Sequence, residues 1–152
     1  MNSKLLFTLL AAFILASAPL SHSAPNDNAL LNTLGYTTGQ SILLTHMAIG
    51  TLADAFVGKA YKAEQTTNIL TTYVNVTSGL KGQLNKLVET GTLSGNDAAF
   101  LKRAVAVLDL ILEEAASFKT YVGAKNDANA QSYDKARQKA LAEIKDLLGI
   151  KD

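Results

Sequence analysis

The chain has 152 residues, with 14 Lys+Arg against 13 Asp+Glu, and 48% of it is hydrophobic. That length fits one domain, and the hydrophobic share excludes a largely disordered chain. The absence of cysteine excludes disulfides, thiolate metal sites, iron–sulfur clusters and cysteine nucleophiles, and a formal charge of +1 leaves no bulk basic field for nucleic acid.

The N-terminus reads as a secretory leader. Lys4 supplies the positive start, residues 5–20 carry no charge, and Ser21-His22-Ser23-Ala24 forms a small-residue cleavage region. Ser21 and Ser23 are small at both recognition positions, so cleavage is predicted after Ser23. Residues 1–23 are then a signal peptide and residues 24–152 a single helical-bundle domain. Loss of Lys4 leaves thirteen charges of each sign. A domain of this size can build a core without disulfides, so a cysteine-free exported chain points to the periplasm, with secretion as the alternative. Pro19 interrupts the apolar run, and no stable membrane anchor is expected after cleavage.

No proline follows Pro25, and the composition favours helices. The first helical seam is Ile42, Thr45, Ile49, Leu52 and Phe56, in a helix from about Thr37 to a stop at Gly58. The second is Thr66, Leu70, Tyr73, Thr77, Leu80, Leu84 and Leu87, before Gly91. A turn is expected between Gly58 and Asn68, although the heptad phase runs unbroken and would also suit one long helix. The third seam is Leu101, Ala104, Leu108, Ile111, Ala115, Phe118 and Val122. Ser94 and Asp97 offer a capping box at its start, and Gly123 a left-handed stop. The fourth helix has cap candidates Asn126 and Asp127, then Tyr133, Ala136, Ala140, Ile144 and Leu147 inside, and a stop at Gly149. Ile150 could fold back on Ile144 there. Four such helices with short connections predict an all-α, antiparallel up-and-down four-helix bundle.

Few residues could carry chemistry. The mature chain has one histidine, His46, with no Glu three residues before it, so neither a di-iron nor a zinc set is expected. His46 could ligate haem, but Met47 points about 100° away on the same helix and no second methionine survives cleavage. His46 is expected to flank the core and bond a carbonyl or hydroxyl. No serine lies in a nucleophile elbow. Asp109, Glu113 and Glu114 follow Lys102 and Arg103 and read as an ordinary charged outer face. No cofactor, metal or catalytic residue is assigned.

The first helix is the anomaly. Between Asn28 and Gly58 the one formal charge is Asp54, and Leu43, Leu44, Met47, Gly50 and Val57 fall opposite the seam. A monomeric bundle should carry charge on that arc. Three readings follow: membrane insertion, against which Thr45, His46, Thr51 and Asp54 interrupt the run; cover by residues 29–34; or a face for a partner protein or a second copy. The expected role is therefore non-enzymatic: an adaptor, inhibitor or chaperone-like bundle acting through protein contact. The alternative is a periplasmic carrier of a small apolar ligand or non-covalent haem, with Thr45, Thr66 and Thr77 lining a cavity.

Overall fold

Without proline to interrupt it, each seam can extend as helix until glycine or a polar cap stops it. The computed structural model describes residues 27–93 and 95–151 and contains α1 (Asp27–Val57), α2 (Ala63–Glu89), α3 (Gly95–Gly123) and α4 (Asp127–Leu148). The chain divides into two units, Met1–Leu30 and Leu31–Asp152. Of the first, the described part is the opening of α1; the second holds the core. The N-terminal apolar stretch is compatible with a signal sequence. Its cleavage bond and the Ser94 cap lie outside the described residues.

The helices form an up-and-down four-helix bundle. Phe118 meets Tyr133, Glu113 meets Lys139 and Arg103 meets Asp146, so α3 and α4 run in opposite directions. Gly39 lies under Leu148 and Gly50 under Arg137, which sets α1 antiparallel to α4. His46 pairs with Glu114 and Phe56 packs on Phe118 and Tyr121, so α1 runs parallel to α3. Most expected seam residues form the core, with Ile42, Leu70, Leu108, Ile111, Phe118 and Ile144 sealed from water, whereas Thr45 and Ala136 are only half-buried and Ala53, outside the seams, is buried. Val107 widens the α3 stripe by joining Leu108 and Ile111.

The helix ends follow the sequence at both ends of α4 and after α2, where Gly91 is left-handed at φ 68°, and depart from it in three places. Asn126 caps α4 by accepting from the Asn129 N–H at 2.9 Å. Gly149 is left-handed at φ 65°, and the Ile150 N–H reaches the Lys145 carbonyl at 2.9 Å in a Schellman stop. The break between α1 and α2 falls inside the expected window, but its left-handed residue is Lys59 (φ 62°), one position after Gly58. The Ala60 N–H reaches the Ala55 carbonyl there, so the same stop is built around a lysine. Lys62 then serves as N-cap, and the Gln65 side chain accepts from its N–H at 3.1 Å, which supplies half of a capping box. Gly123 is the last residue of α3 itself and is not left-handed.

The third departure lies at the start of α1. Residues 29–34 belong to α1, which starts about ten residues before the expected Thr37. They extend the helix and so do not lie over its outer face.

Candidate functional site

Three features merit weighing: a polar group buried in the core, the outer face of α1, and a groove at one end of the bundle.

The polar group draws one residue from each of three helices. His46 on α1 is 4% exposed and Glu114 on α3 is fully buried. The His46 Nδ1–H donates to Glu114 Oε2 at 2.8 Å. Glu114 thus does not sit on the charged outer face with its neighbours; Asp109 pairs with Lys81 and Glu113 with Lys139, both at the surface. Its place is explained by spacing, three residues after Ile111 and four before Phe118. His46 likewise bonds a carboxylate rather than a carbonyl or hydroxyl. Glu114 Oε1 and the Tyr133 hydroxyl are both buried without a hydrogen-bond partner. Arg137, one turn beyond Tyr133, is half-buried against Gly50 of α1. A Cβ at Gly50 would lie 2.7 Å from its Nη2, so glycine there leaves room for the guanidinium.

Burial pushes the Tyr133 hydroxyl well above the ordinary tyrosine range. The Glu114 carboxylate adds to the rise, Arg137 opposes it, and Asp54 and Asp134 add smaller increments. The neutral phenol is therefore the folded form. Because the folded value exceeds the unfolded one, this contribution is complete below about pH 10 and is lost as the pH climbs above that, by at most ~1.4 kcal/mol per pH unit. Tyr133→Phe should flatten that alkaline loss. At neutral pH it should be neutral or stabilising by up to about 1 kcal/mol, since the hydroxyl it removes makes no bond. Urea unfolding of both proteins at neutral pH and at about pH 11 checks this; a loss above ~1.5 kcal/mol at neutral pH would mean the hydroxyl is bonded.

The threonines of the seams bond within their own helices. Thr66 and Thr77 are buried, but their hydroxyls donate to the Lys62 and Tyr73 carbonyls of their own helix, and Thr45 donates to Ser41. Such bonds satisfy the hydroxyls locally and leave nothing directed at a ligand.

The outer face of α1 is open. Tyr36 is 76% exposed, Met47 55% and Leu44 54%, and Val57 is also exposed. The other two expected members lie elsewhere. Gly50 is buried under Arg137, and Leu43 is half-buried against the core. A 3.6-residue period sets both on the same arc as Met47 and Val57; the approach of Arg137 to Gly50 and of the core to Leu43 is what covers them. By length and composition the Ala29–Val57 stretch could cross a membrane, and a third of its most apolar window is buried within the fold.

The groove lies where the first half of α1, the start of α3 and the end of α4 converge. It encloses about 540 Å³, lined by Leu34, Leu43, Phe100 and Leu147, with Gly35 and Gly39 on the α1 side. Among the described residues, Asp97 is the one formally charged side chain in its lining. The sequence reading missed this groove. Its signal is the Gly35/Gly39 pair, which stacks on one helix face four residues apart. Among the described residues, no three histidines, acids or cysteines group as a metal set would require.

Comparison of the chain with protein-family models, with curated proteins and with solved structures finds no match.

Proposed function

We propose that this protein is a non-enzymatic periplasmic bundle that works by protein contact through the outer face of α1, with a second copy as its simplest partner. The observation that carries this reading is the contrast between helices. Outer residues of α2, α3 and α4 form the pairs Lys81–Asp109, Arg103–Asp146 and Lys139–Glu113. The α1 face instead exposes Tyr36, Leu44, Met47 and Val57, with Asp54 the one formal charge among residues 29–57. Large apolar side chains held in water are a cost that contact with another apolar face removes, at about 25 cal/mol per Å². Scarcity of charge also allows like to meet like. In an antiparallel pair centred between Leu44 and Met47, Asp54 faces the neutral Thr37 stretch of the other copy, not another carboxylate.

The buried polar group suits a structural role in this reading. His46 and Glu114 cannot be touched by a substrate unless the bundle opens, and a lone polar contact between apolar layers favours one helix register over its neighbours. The periplasmic assignment rests on the apolar N-terminal stretch with its small-residue end and on the absence of cysteine.

Leu44→Glu tests the contact. The charge lands on an exposed position, so helicity by circular dichroism should be unchanged. Light scattering of the wild type should show the mass rising over micromolar concentrations, and the variant should stay monomeric. A wild type that remains monomeric to high micromolar ends the self-association reading.

A further inference from the structure

The groove at the end of the bundle borders the α1 outer face, with which it shares Tyr36, and has a chemistry of its own. At about 540 Å³ it falls within the size range of small-molecule sites, which are mostly apolar with a few polar groups that fix orientation. Leu34, Leu43, Phe100 and Leu147 supply the apolar wall. The α1 wall is low because it is glycine. A Cβ at Gly39 would lie 2.7 Å from a terminal methyl of Leu148, so a side chain there would make that leucine shift. Gly35 differs, since a Cβ there would make an ordinary 3.8 Å contact with Phe100. Glycine at 35 is thus not required by packing, and in a helix interior it costs roughly 1 kcal/mol relative to alanine. What it provides is open groove.

Charge narrows the choice of occupant. Asp97 stands at the exposed rim of the lining, in the first turn of α3, and among the described residues no side chain pairs with it and no lysine, arginine or histidine lines the groove. A fatty carboxylate or phosphate would bring a second negative charge to an apolar site without a cation, which is unfavourable. An ammonium group would meet its complement. We propose that the groove is a binding site for a small amphiphilic cation, whose apolar body lies over Gly35 between Phe100 and Leu147 and whose ammonium sits at Asp97.

The test compares three probes of equal chain length, decylammonium, decanoate and 1-decanol, each below its aggregation concentration. Binding to the purified protein is followed by nuclear magnetic resonance titration at low salt. Decylammonium should bind saturably, shifting the Phe100 and Leu34 signals, and about two- to fivefold more tightly than decanoate, the range an exposed charge contact is worth. Asp97→Asn should erase the preference for decylammonium over 1-decanol and leave binding of 1-decanol unchanged. Gly35→Leu should fill the groove and abolish binding of all three, with circular dichroism confirming the helices. Decanoate binding as tightly as decylammonium, no saturable binding of any probe, or full affinity in a folded Gly35→Leu protein would each overturn the proposal. Should Gly35→Leu fail to fold, the Asp97→Asn comparison decides by itself. None of these outcomes bears on self-association, which Leu44→Glu reads separately.

Discussion

His46→Ala should cost the fold about 3–5 kcal/mol in reversible urea unfolding, the range for removing one member of a buried pair. Glu114 is fully buried, Oε2 is bonded only to His46, and Oε1 has no partner. Without the imidazole, both oxygens of the carboxyl are left in an apolar core with nothing to replace water. The loss of packing volume adds to this, so the size of the effect alone does not isolate the pair. The double replacement does. His46→Leu together with Glu114→Met keeps the volume and removes both polar groups, and such exchanges are often neutral or stabilising by about 1–4 kcal/mol. Expected, then, are a destabilised His46→Leu, a destabilised Glu114→Met, and a double variant at or above wild-type stability. Strict additivity of the two single losses would show that the residues are uncoupled, and the buried contact would be wrong.

That pair also marks how far the sequence could be read. The seams of α3 and α4 were legible because one face recurs at spacings of three and four over several turns, from Leu101 to Val122 and from Tyr133 to Leu147. The same spacing contains Glu114 and His46, the latter four after Ile42 and three before Ile49. The sequence places His46 only beside the core and, with Lys102 and Arg103 upstream, sets Glu114 on the outer face, since charged or polar side chains are seldom fully buried. A histidine and a glutamate that both fall on inner stripes are a partner signal that neither gives alone. The α1–α2 turn was bracketed but not placed, because its left-handed residue is a lysine and its cap a lysine–glutamine pair. Neither carries the Gly, Ser or Asn mark by which such ends are recognised.

The site was less legible than the fold. The low charge of α1 was visible in the chain, and Leu44, Met47 and Val57 are exposed as that pattern implied. What periodicity could not settle was the edge of the arc. Gly50 and Leu43 lie where the outer face turns into the contact with α4, and only the approach of Arg137 and of the core decides their side. The groove was further out of reach. It is a property of three helix ends whose relative heights depend on every connection between them.

Phe118→Ala should be the most damaging single truncation to an apolar side chain, at about 3–5 kcal/mol. Phe118 is fully buried and joins three helices. Its ring lies 5.0 Å from that of Tyr133 on α4 and 6.2 Å from that of Phe56 on α1, the latter edge-on at 73°. Aromatic contacts of this kind add roughly 0.5–1.5 kcal/mol beyond area burial. Phe118 also sits one turn after Glu114, so a cavity there opens next to the unpaired Oε1 and the Tyr133 hydroxyl. That position gives the prediction a second, sharper arm. An apolar void stays dry, whereas one bordered by two orphaned oxygens can hold water, which would offset part of the loss. Phe56→Ala is the control. Its ring is half-buried at the end of the same cluster, against Tyr121 at 6.0 Å and under Lys125 at 5.4 Å, and its removal opens toward solvent. Its cost should therefore be the smaller by at least ~1 kcal/mol. Urea unfolding of both variants with a common m-value checks the ranking. An equal or larger loss for Phe56→Ala would move the centre of the aromatic cluster from α3 to the end of α1.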